Sequence, residues 1–283
     1  MAAVILPAHD ESAVLTRSLD ALLKGNSDDE VIVVANGCSD DTAEIARRFA
    51  PRVTVVETPV GSKIGALNLG DQHASSYPRI YLDADIELKE GALDRIKQAL
   101  RSGPWLAVSP EPIMDLSASS WAVKAYYNIW LSMPYCKSGM IGAGAYALSE
   151  EGRKRFGVFP DVIADDGYVR ALFKEHERGK VAGAYALVRA PADLGWLLKI
   201  KTRSRMGGMQ LAERFPELLR NEEKAYGNGT LGVLRNPLKW SGALVYLYVN
   251  IVSRILARWR YAALSHYRWE KDLSSRNKQS KTS

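Results

Sequence analysis

With 283 residues, 47% of them apolar, the chain has ample material for a buried core in one large or two small domains, which excludes a mostly disordered protein. Cys38 and Cys136 stand far apart in no metal-like or redox-like spacing, which excludes a disulfide framework and fits a reducing compartment. The net charge of +6 belongs to the tail: from Arg254 onward eight Lys or Arg face only Glu270 and Asp272, so earlier residues balance at 30 of each sign, which argues against a nucleic-acid-binding surface.

Met1 to Leu6 run straight into Pro7 and the polar His9-Asp10-Glu11, too soon for a secretory signal, so a cytoplasmic protein is expected. Ala3 to Pro7 reads as a strand, and Glu11 to Leu23 carries Val14, Leu15, Leu19, Leu22 and Leu23 at helical spacing. Val31 to Val34 reads as a second strand, followed by a turn at Asn36-Gly37 and a helix that Ser39 or Asp40 could cap. Val53 to Val56 is a third strand, Gly61 to Leu69 a helix, and Ile80 to Leu82 a fourth strand. Strands separated by helical crossovers predict a parallel sheet with helices on both faces, its strand ends converging at one edge where such sheets bind ligands.

Further on, Trp105 to Ser109 reads as a strand, Ser117 to Leu131 as a helix bearing Trp121, Tyr126, Tyr127 and Trp130, and Ile141 to Leu148 as a strand of small residues. Those aromatics could stack sugars or fill core. Ala164 to Lys174 is expected to be helical, Val181 to Val188 a strand, and Pro191 to Leu219 helical again. The clearest boundary signal is Tyr226-Gly227-Asn228-Gly229-Thr230, which divides the chain into 1–225 and 226–283.

Trp240 to Ser253 is an uncharged run of fourteen residues, below the about 20 needed to span a bilayer. On a helical wheel Leu244, Tyr248, Ile251, Val252, Ile255 and Trp259 share one side, while Asn250, Arg254, Arg258 and Tyr261 share the other. This is the pattern of an interfacial membrane helix, and equally of a helix packed on the domain with one solvated face.

Asp83-Ala84-Asp85 closes the fourth strand with two carboxylates. They either solvate a strand end or, lying on one side of an extended segment, reach a single Mg²⁺ or Mn²⁺. Lys63 opens a helix, where a lysine is ordinarily solvated. Lys199 to Gly208 is basic, with Arg203 or Arg205 able to grip phosphate by paired hydrogen bonds, or to line a solvated helix face; Gly207-Gly208 would supply a flexible join. His176, among Glu175, Glu177 and Arg178, reads as solvated more readily than as a metal ligand.

The ordered series Pro7-Ala8-His9-Asp10-Glu11, Val33 to Thr42, Lys63 to Asn68, Asp83-Ala84-Asp85, Gly142 to Ala147 and Ala164-Asp165-Asp166-Gly167 resembles family 2 glycosyltransferases, from about Val4 to about Leu211. The resemblance implies an α/β GT-A fold, a nucleotide-binding sheet with flanking helices, followed here by the C-terminal amphipathic segment. It implies that Pro7, Ala8, His9 and Glu11 line the base and ribose pocket and that Lys63, Asp83 and Ala84 lie near the nucleotide. Asn36 stands where many members carry an Asp that reads uracil, and an Asn still offers a donor and an acceptor. By the same resemblance Asp85 is the main metal ligand with Asp83 beside it, and the cofactor is Mn²⁺ or Mg²⁺. Asp166 is the base that deprotonates the acceptor, with Asp165 its neighbour and the better helix cap. Arg203 and Arg205 lie where relatives carry a basic Q-x-x-R-W segment, although that literal pattern is absent.

The implied function is inverting transfer from a nucleotide-sugar donor, UDP-sugar favoured, to a saccharide or lipid-linked glycan in surface polysaccharide or glycolipid synthesis. Partners would be donor and acceptor, with membrane contact through 240–260 at the inner face of the cell membrane. Two other readings are a nucleotidyltransferase that makes nucleotide sugars, which lacks a glycine-rich triphosphate loop here, and a silent membrane- or partner-binding subunit, which leaves Asp83, Asp85 and Asp166 unexplained.

Overall fold

A computed structural model describes residues 1–24, 28–133, 136, 140, 143–221 and 240–263. The boundary signal at Tyr226 to Thr230, Ile141 and Gly142 of the small-residue strand, and the basic tail from Arg268 lie outside the described residues. The chain forms two compact units, each assembled from two stretches: 1–113 with 140–188, and 114–139 with 189–283. The expected division at residue 225 falls inside the second.

The first unit is built on a sheet of order β3-β2-β1-β4-β7-β6-β8-β5. β1 (Ala3–Ala8) pairs in parallel with β2 (Glu30–Asn36) and β4 (Arg79–Leu82), and β2 in parallel with β3 (Thr54–Thr58). These are the four crossover strands expected. β1 and β4 are buried along their whole length, the mark of parallel strands covered on both faces. β7 (Ala145–Leu148) joins antiparallel to β4 and to β6 (Ala107–Asp115), and β5 (Glu87–Leu88) antiparallel to β8 (Arg178–Arg189). β6 begins two residues after the expected strand and runs on to Asp115; Pro110 and Pro112, which lack donors, lie beyond Ala107 and Val108, the residues paired with β7.

Helices α1 (Leu15–Leu23), α2 (Thr42–Arg47), α3 (Lys63–His73) and α4 (Ala92–Ser102) follow strands of this sheet. Short α6 (Glu150–Arg153) and α7 (Asp165–Leu172) complete the unit. The helix expected from Glu11 begins at Leu15, because the Glu11 carbonyl first closes a turn by accepting from the amides of Val14 and Leu15. Neither Ser39 nor Asp40 is the N-cap residue of α2, which is Asp41; Asp40 instead accepts from the Thr42 and Ser12 amides. Ser62 caps α3, its hydroxyl accepting from the Gly65 amide at 3.0 Å and so fixing where Lys63 begins the helix.

The second unit gathers α5 (Trp121–Trp130), α8 (Leu194–Arg214) and α9 (Trp240–Ala262) around a cluster of Val123, Tyr126, Tyr127, Ala190, Leu197 and Val249. Tyr126 and Tyr127 therefore fill core, whereas Trp121 is exposed. Helix α9 runs past the uncharged run through Arg254, Arg258 and Arg260, since arginine is a good helix former. At 23 residues it is long and apolar enough to cross a membrane.

Candidate active site

Parallel pairing sets the C-terminal ends of β1, β2 and β4 on one edge of the first unit, which carries Pro7 to Glu11, Asn36 and Asp83 together as expected. At that edge Lys63, the first residue of α3, reaches two carboxylates: its Nζ lies 2.7 Å from Asp83 Oδ1 and 3.0 Å from Asp165 Oδ1. The other oxygen of Asp165 accepts a hydrogen bond from the Tyr146 hydroxyl at 3.1 Å. Four elements thus meet at one point: β4 presents Asp83, β7 Tyr146, α3 Lys63 and α7 Asp165. Asp166 follows on the same first turn, accepting from the Gly167 amide at 2.8 Å.

Asp165 was expected as a cap, yet Ala164 is the N-cap residue of α7 and no side chain caps that end. The Asp165 carboxylate turns to Lys63 and Tyr146 because a buried charge gains more from a cation and a hydroxyl than from an amide. Tyr146 lies inside the Gly142 to Ala147 motif, where nothing in the sequence marks it for Asp165, and the Lys63–Asp165 link joins segments too distant in sequence for any spacing to reveal it.

The electrostatics follow from this crowding. Burial raises the Asp83 carboxyl above its usual value; Lys63 opposes that shift, while the negative charges of Asp165 and Asp85 add to it. Asp166 is raised in the same way, by burial and then by Asp165, against the pull of Lys63 and Arg170. On Lys63, burial disfavours the ammonium, but Asp165 and Asp83 outweigh it and hold the group well above the ordinary lysine range. Burial, then Asp165, pushes the Tyr146 phenol far up, so it remains a neutral donor.

The donor set fits a hard divalent cation. Asp83 and Asp85 are half-buried carboxylates two residues apart, and the charge crowded around Asp83 is what a cation would relieve. Space has been kept beside them: the carbonyl of Gly144, at φ +79, accepts from the Asp83 amide at 2.8 Å, and a Cβ there would come 2.6 Å from Ile86 Cγ1 and 3.3 Å from Asp83 Oδ2.

On the β1 and β2 loops, the His9 ring donates from Nδ1 to the Asn36 carbonyl at 2.6 Å. Pro7, Ala8 and Glu11 are buried, and Asn36 is fully enclosed. The Asn36 amide nitrogen is spent on the carbonyls of Ala8 at 2.8 Å and Val34 at 3.3 Å, leaving its side-chain oxygen buried without a hydrogen-bond partner. Asn36 therefore braces the loop that holds His9. His9, Asp10 and Cys38 bring ligand atoms within 4.8 Å of one another. That softer set is already occupied by loop contacts: Asp10 accepts from the Ser39 amide at 2.6 Å, and the Cys38 thiol lies 3.5 Å from the Ala8 carbonyl.

Arg203 and Arg205 belong to the second unit, on α8. Arg205 donates from Nε to Ser253 Oγ at 2.8 Å and from Nη2 to Asn250 Oδ1 at 2.5 Å. Gly207-Gly208 supplies no join, because α8 runs unbroken through both; packing of Met206 and Leu211 offsets the roughly 1 kcal/mol that each glycine costs a helix. Nearby Lys201 lies over the rings of Trp130 at 4.7 Å and Tyr126 at 5.4 Å, and burial lowers its pKa to about 8. His176 is exposed in a short 3-10 turn.

The family model described as glycosyl transferase family 2 matches residues 3–139. A curated relative, 4,4'-diaponeurosporenoate glycosyltransferase of Staphylococcus haemolyticus (strain JCSC1435), is 37% identical over 103 residues, which is 34% of this chain and 27% of that protein's length. The match thus spans about a quarter of that relative. Among solved structures, a mannosyltransferase from Pyrobaculum calidifontis in complex with GDP-Man and Mn²⁺ superposes with a TM-score of 0.62 at 21% identity, covering 93% of this chain and 85% of that one. Glucosyl-3-phosphoglycerate synthase from Mycobacterium tuberculosis, with Mn²⁺, UDP and phosphoglyceric acid, gives 0.53 at 20% identity over 76% of this chain and 78% of that one. S. aureus TarS with UDP-GlcNAc gives 0.54 at 12% identity over 93% and 84%. The family match over residues 3–139 and the GT-A fold shared with these neighbours agree with the resemblance to family 2 glycosyltransferases read from the motifs.

Proposed function

We propose that the chain is an inverting glycosyltransferase that moves one sugar from a nucleoside diphosphate donor, a UDP-sugar before a GDP-sugar, to a hydroxyl of a saccharide or lipid-linked glycan. The observation that carries this reading is the carboxylate cluster at the strand edge, in which Lys63 clamps Asp83 and Asp165 and leaves Asp166 beside them on α7. The loop of Pro7, Ala8, His9 and Glu11, braced by Asn36, holds the nucleoside; Lys63, Asp83 and Ala84 form the diphosphate side. Asp85, with Asp83, would hold a Mn²⁺ or Mg²⁺, which when bound would supply Lewis-acid stabilisation of the departing diphosphate.

Asp166 accepts the proton of the acceptor hydroxyl as its oxygen bonds to the anomeric carbon from the face opposite the leaving group. The bond from that carbon to the diphosphate oxygen breaks, and its electron pair leaves with the nucleoside diphosphate. A carboxyl raised by burial is the stronger base for this step. Tyr146 and Lys63 hold Asp165 in place behind it. Arg203 and Arg205, on α8, are part of this reading as the phosphate-gripping residues that the resemblance implies. As functional regions, 1–225 carries the transferase and 226–283 the membrane contact, with the protein cytoplasmic and peripheral on the inner face of the cell membrane.

The test is calorimetric titration of UDP, and separately GDP, into the protein with and without Mn²⁺, repeated on Asp85→Ala. Metal-dependent binding of one nucleotide that disappears in the variant is expected. Binding of neither nucleotide would return Asp83-Ala84-Asp85 to a solvated strand end.

A further inference from the structure

We infer that α9 lies flat in the surface of an anionic membrane, one face in lipid and the other in protein, and that it does not cross the bilayer. This role depends on the peripheral-membrane part of the proposed function and is independent of the sugar chemistry.

Two opposed faces of α9 carry the case. Leu244, Leu247, Tyr248, Ile251, Ile255 and Trp259 are all exposed large hydrophobics, with Trp259 76% and Leu244 68% exposed. At 100° per residue they form one stripe along the helix. Gly242, Val249, Ser253 and Ala257 form the opposite stripe, and all four are buried. An ordinary packed helix turns its apolar side inward; here small residues face the protein and large ones face out.

Length alone would let α9 span, since 23 residues at 1.5 Å each reach about 35 Å against the about 30 Å of a hydrocarbon core. Its attachments forbid it. Arg205 of α8 binds Ser253 and Asn250 in the middle of α9, and Glu213 of α8 accepts from the Tyr261 hydroxyl at 2.5 Å. A spanning α9 would drag these charges, and the rest of basic α8, into lipid at a cost of several kcal/mol. Lying in the plane, it keeps every such contact.

The lipid is specified by charge. Arg254 is exposed at the margin of the apolar stripe and Arg258 within it, between the directions of Leu247 and Ile251, rather than on the opposite side, so their heads can reach headgroups while their stems lie along the stripe. Arg268, Lys271, Arg276, Lys278 and Lys281 follow in the sequence. Trp240 and Trp259 mark the two ends, as interfacial aromatics do. Basic residues beside an apolar stripe favour acidic phospholipid over another protein surface.

Flotation of the full-length protein with vesicles of phosphatidylcholine alone and of phosphatidylcholine with phosphatidylglycerol tests this. Binding is expected only to the second, and alkaline carbonate should release it. Substituting Leu244→Ser, Ile251→Ser and Ile255→Ser together should lower partitioning more than about tenfold, and Arg254→Gln with Arg258→Gln should remove the preference for acidic lipid. All five side chains are exposed, and an unchanged melting temperature verifies that the variants fold. Absence of flotation, carbonate resistance, or a dimer that the serine variant dissociates without altering flotation would each overturn the assignment. UDP and GDP titrations on the same preparation read the transfer chemistry separately, so nucleotide binding without flotation defeats the membrane role alone.

Discussion

Lys63 is a cation set between Asp83 and Asp165, at 2.7 and 3.0 Å, and removing it leaves two crowded carboxylates facing each other. Breaking such a pair by deleting one partner costs about 3 kcal/mol or more, so Lys63→Met should lower the urea midpoint at neutral pH by that equivalent. The sign of the pH dependence is set by the acids. Asp83, raised in the fold, binds its proton more tightly folded than unfolded, so acidification through that raised value stabilises the variant relative to neutral pH. In the parent the Lys63 contribution is complete below the ordinary lysine pKa of about 10.4 and fades only as pH rises through the higher folded value. Tyr146→Phe removes one donor from Asp165 and should cost about 2 kcal/mol in the same assay. Asp166 acts as base only when ionised, so the acid limb of kcat/KM should lie above the ordinary aspartate value of about 3.9; Asp166→Asn should lower transfer by about 10²–10⁴ while leaving nucleotide binding intact. A variant with undiminished turnover would remove Asp166 from the mechanism.

Elements were legible in proportion to how much local pattern they carry. β1 to β4 announce themselves as apolar runs, and parallel topology then brings their end motifs together without further information. β5 has two residues and no period to read, and α4 hides Ala92, Ile96 and Leu100 in a polar stretch. Glycines misled most where packing overrides propensity. Gly207-Gly208 reads as a hinge from sequence but lies inside α8. A methyl at Gly208 meets nothing within 4 Å, so Gly208→Ala should stabilise the protein by up to about 1 kcal/mol with unchanged turnover. Lost turnover in a stabilised Gly208→Ala would show that the helix must open there. Gly144 is the opposite case. Its φ of +79 and the 2.6 Å approach to Ile86 penalise any side chain, so Gly144→Ala should destabilise by about 2–4 kcal/mol and weaken metal-dependent nucleotide binding through Asp83.

At the scale of the whole molecule, the family motifs could be read because each is a short segment, whereas the two-unit construction could not, because it rests on contacts between segments far apart in the chain. Residues 114–139 leave the first unit, pack with 189–283, and the chain then returns to β7. No composition shift marks either passage, while the Gly-Asn-Gly stretch near residue 228 reads as a boundary and lies within the second unit's span. Truncation after residue 225 separates the two ideas. If α9 were an appendage, the fragment would keep its stability. In the structure that cut removes Val249 from the cluster of Val123, Tyr126, Tyr127 and Leu197, along with the half-buried Val245 and Tyr246, and strips Arg205 of Asn250 and Ser253. Loss of one buried aliphatic and two partly buried neighbours amounts to about 4 kcal/mol, before any cost of leaving Arg205 without those partners. For a chain of this size that corresponds to a fall in Tm of about 10 °C, accompanied by aggregation through the uncovered face of α5 and α8. Calorimetry of the 1–225 fragment beside the intact chain reads the difference directly. An unchanged Tm would make 226–283 a separable anchor, and a fall of the size argued would make α9 at once part of the second unit's core and the surface it turns to lipid.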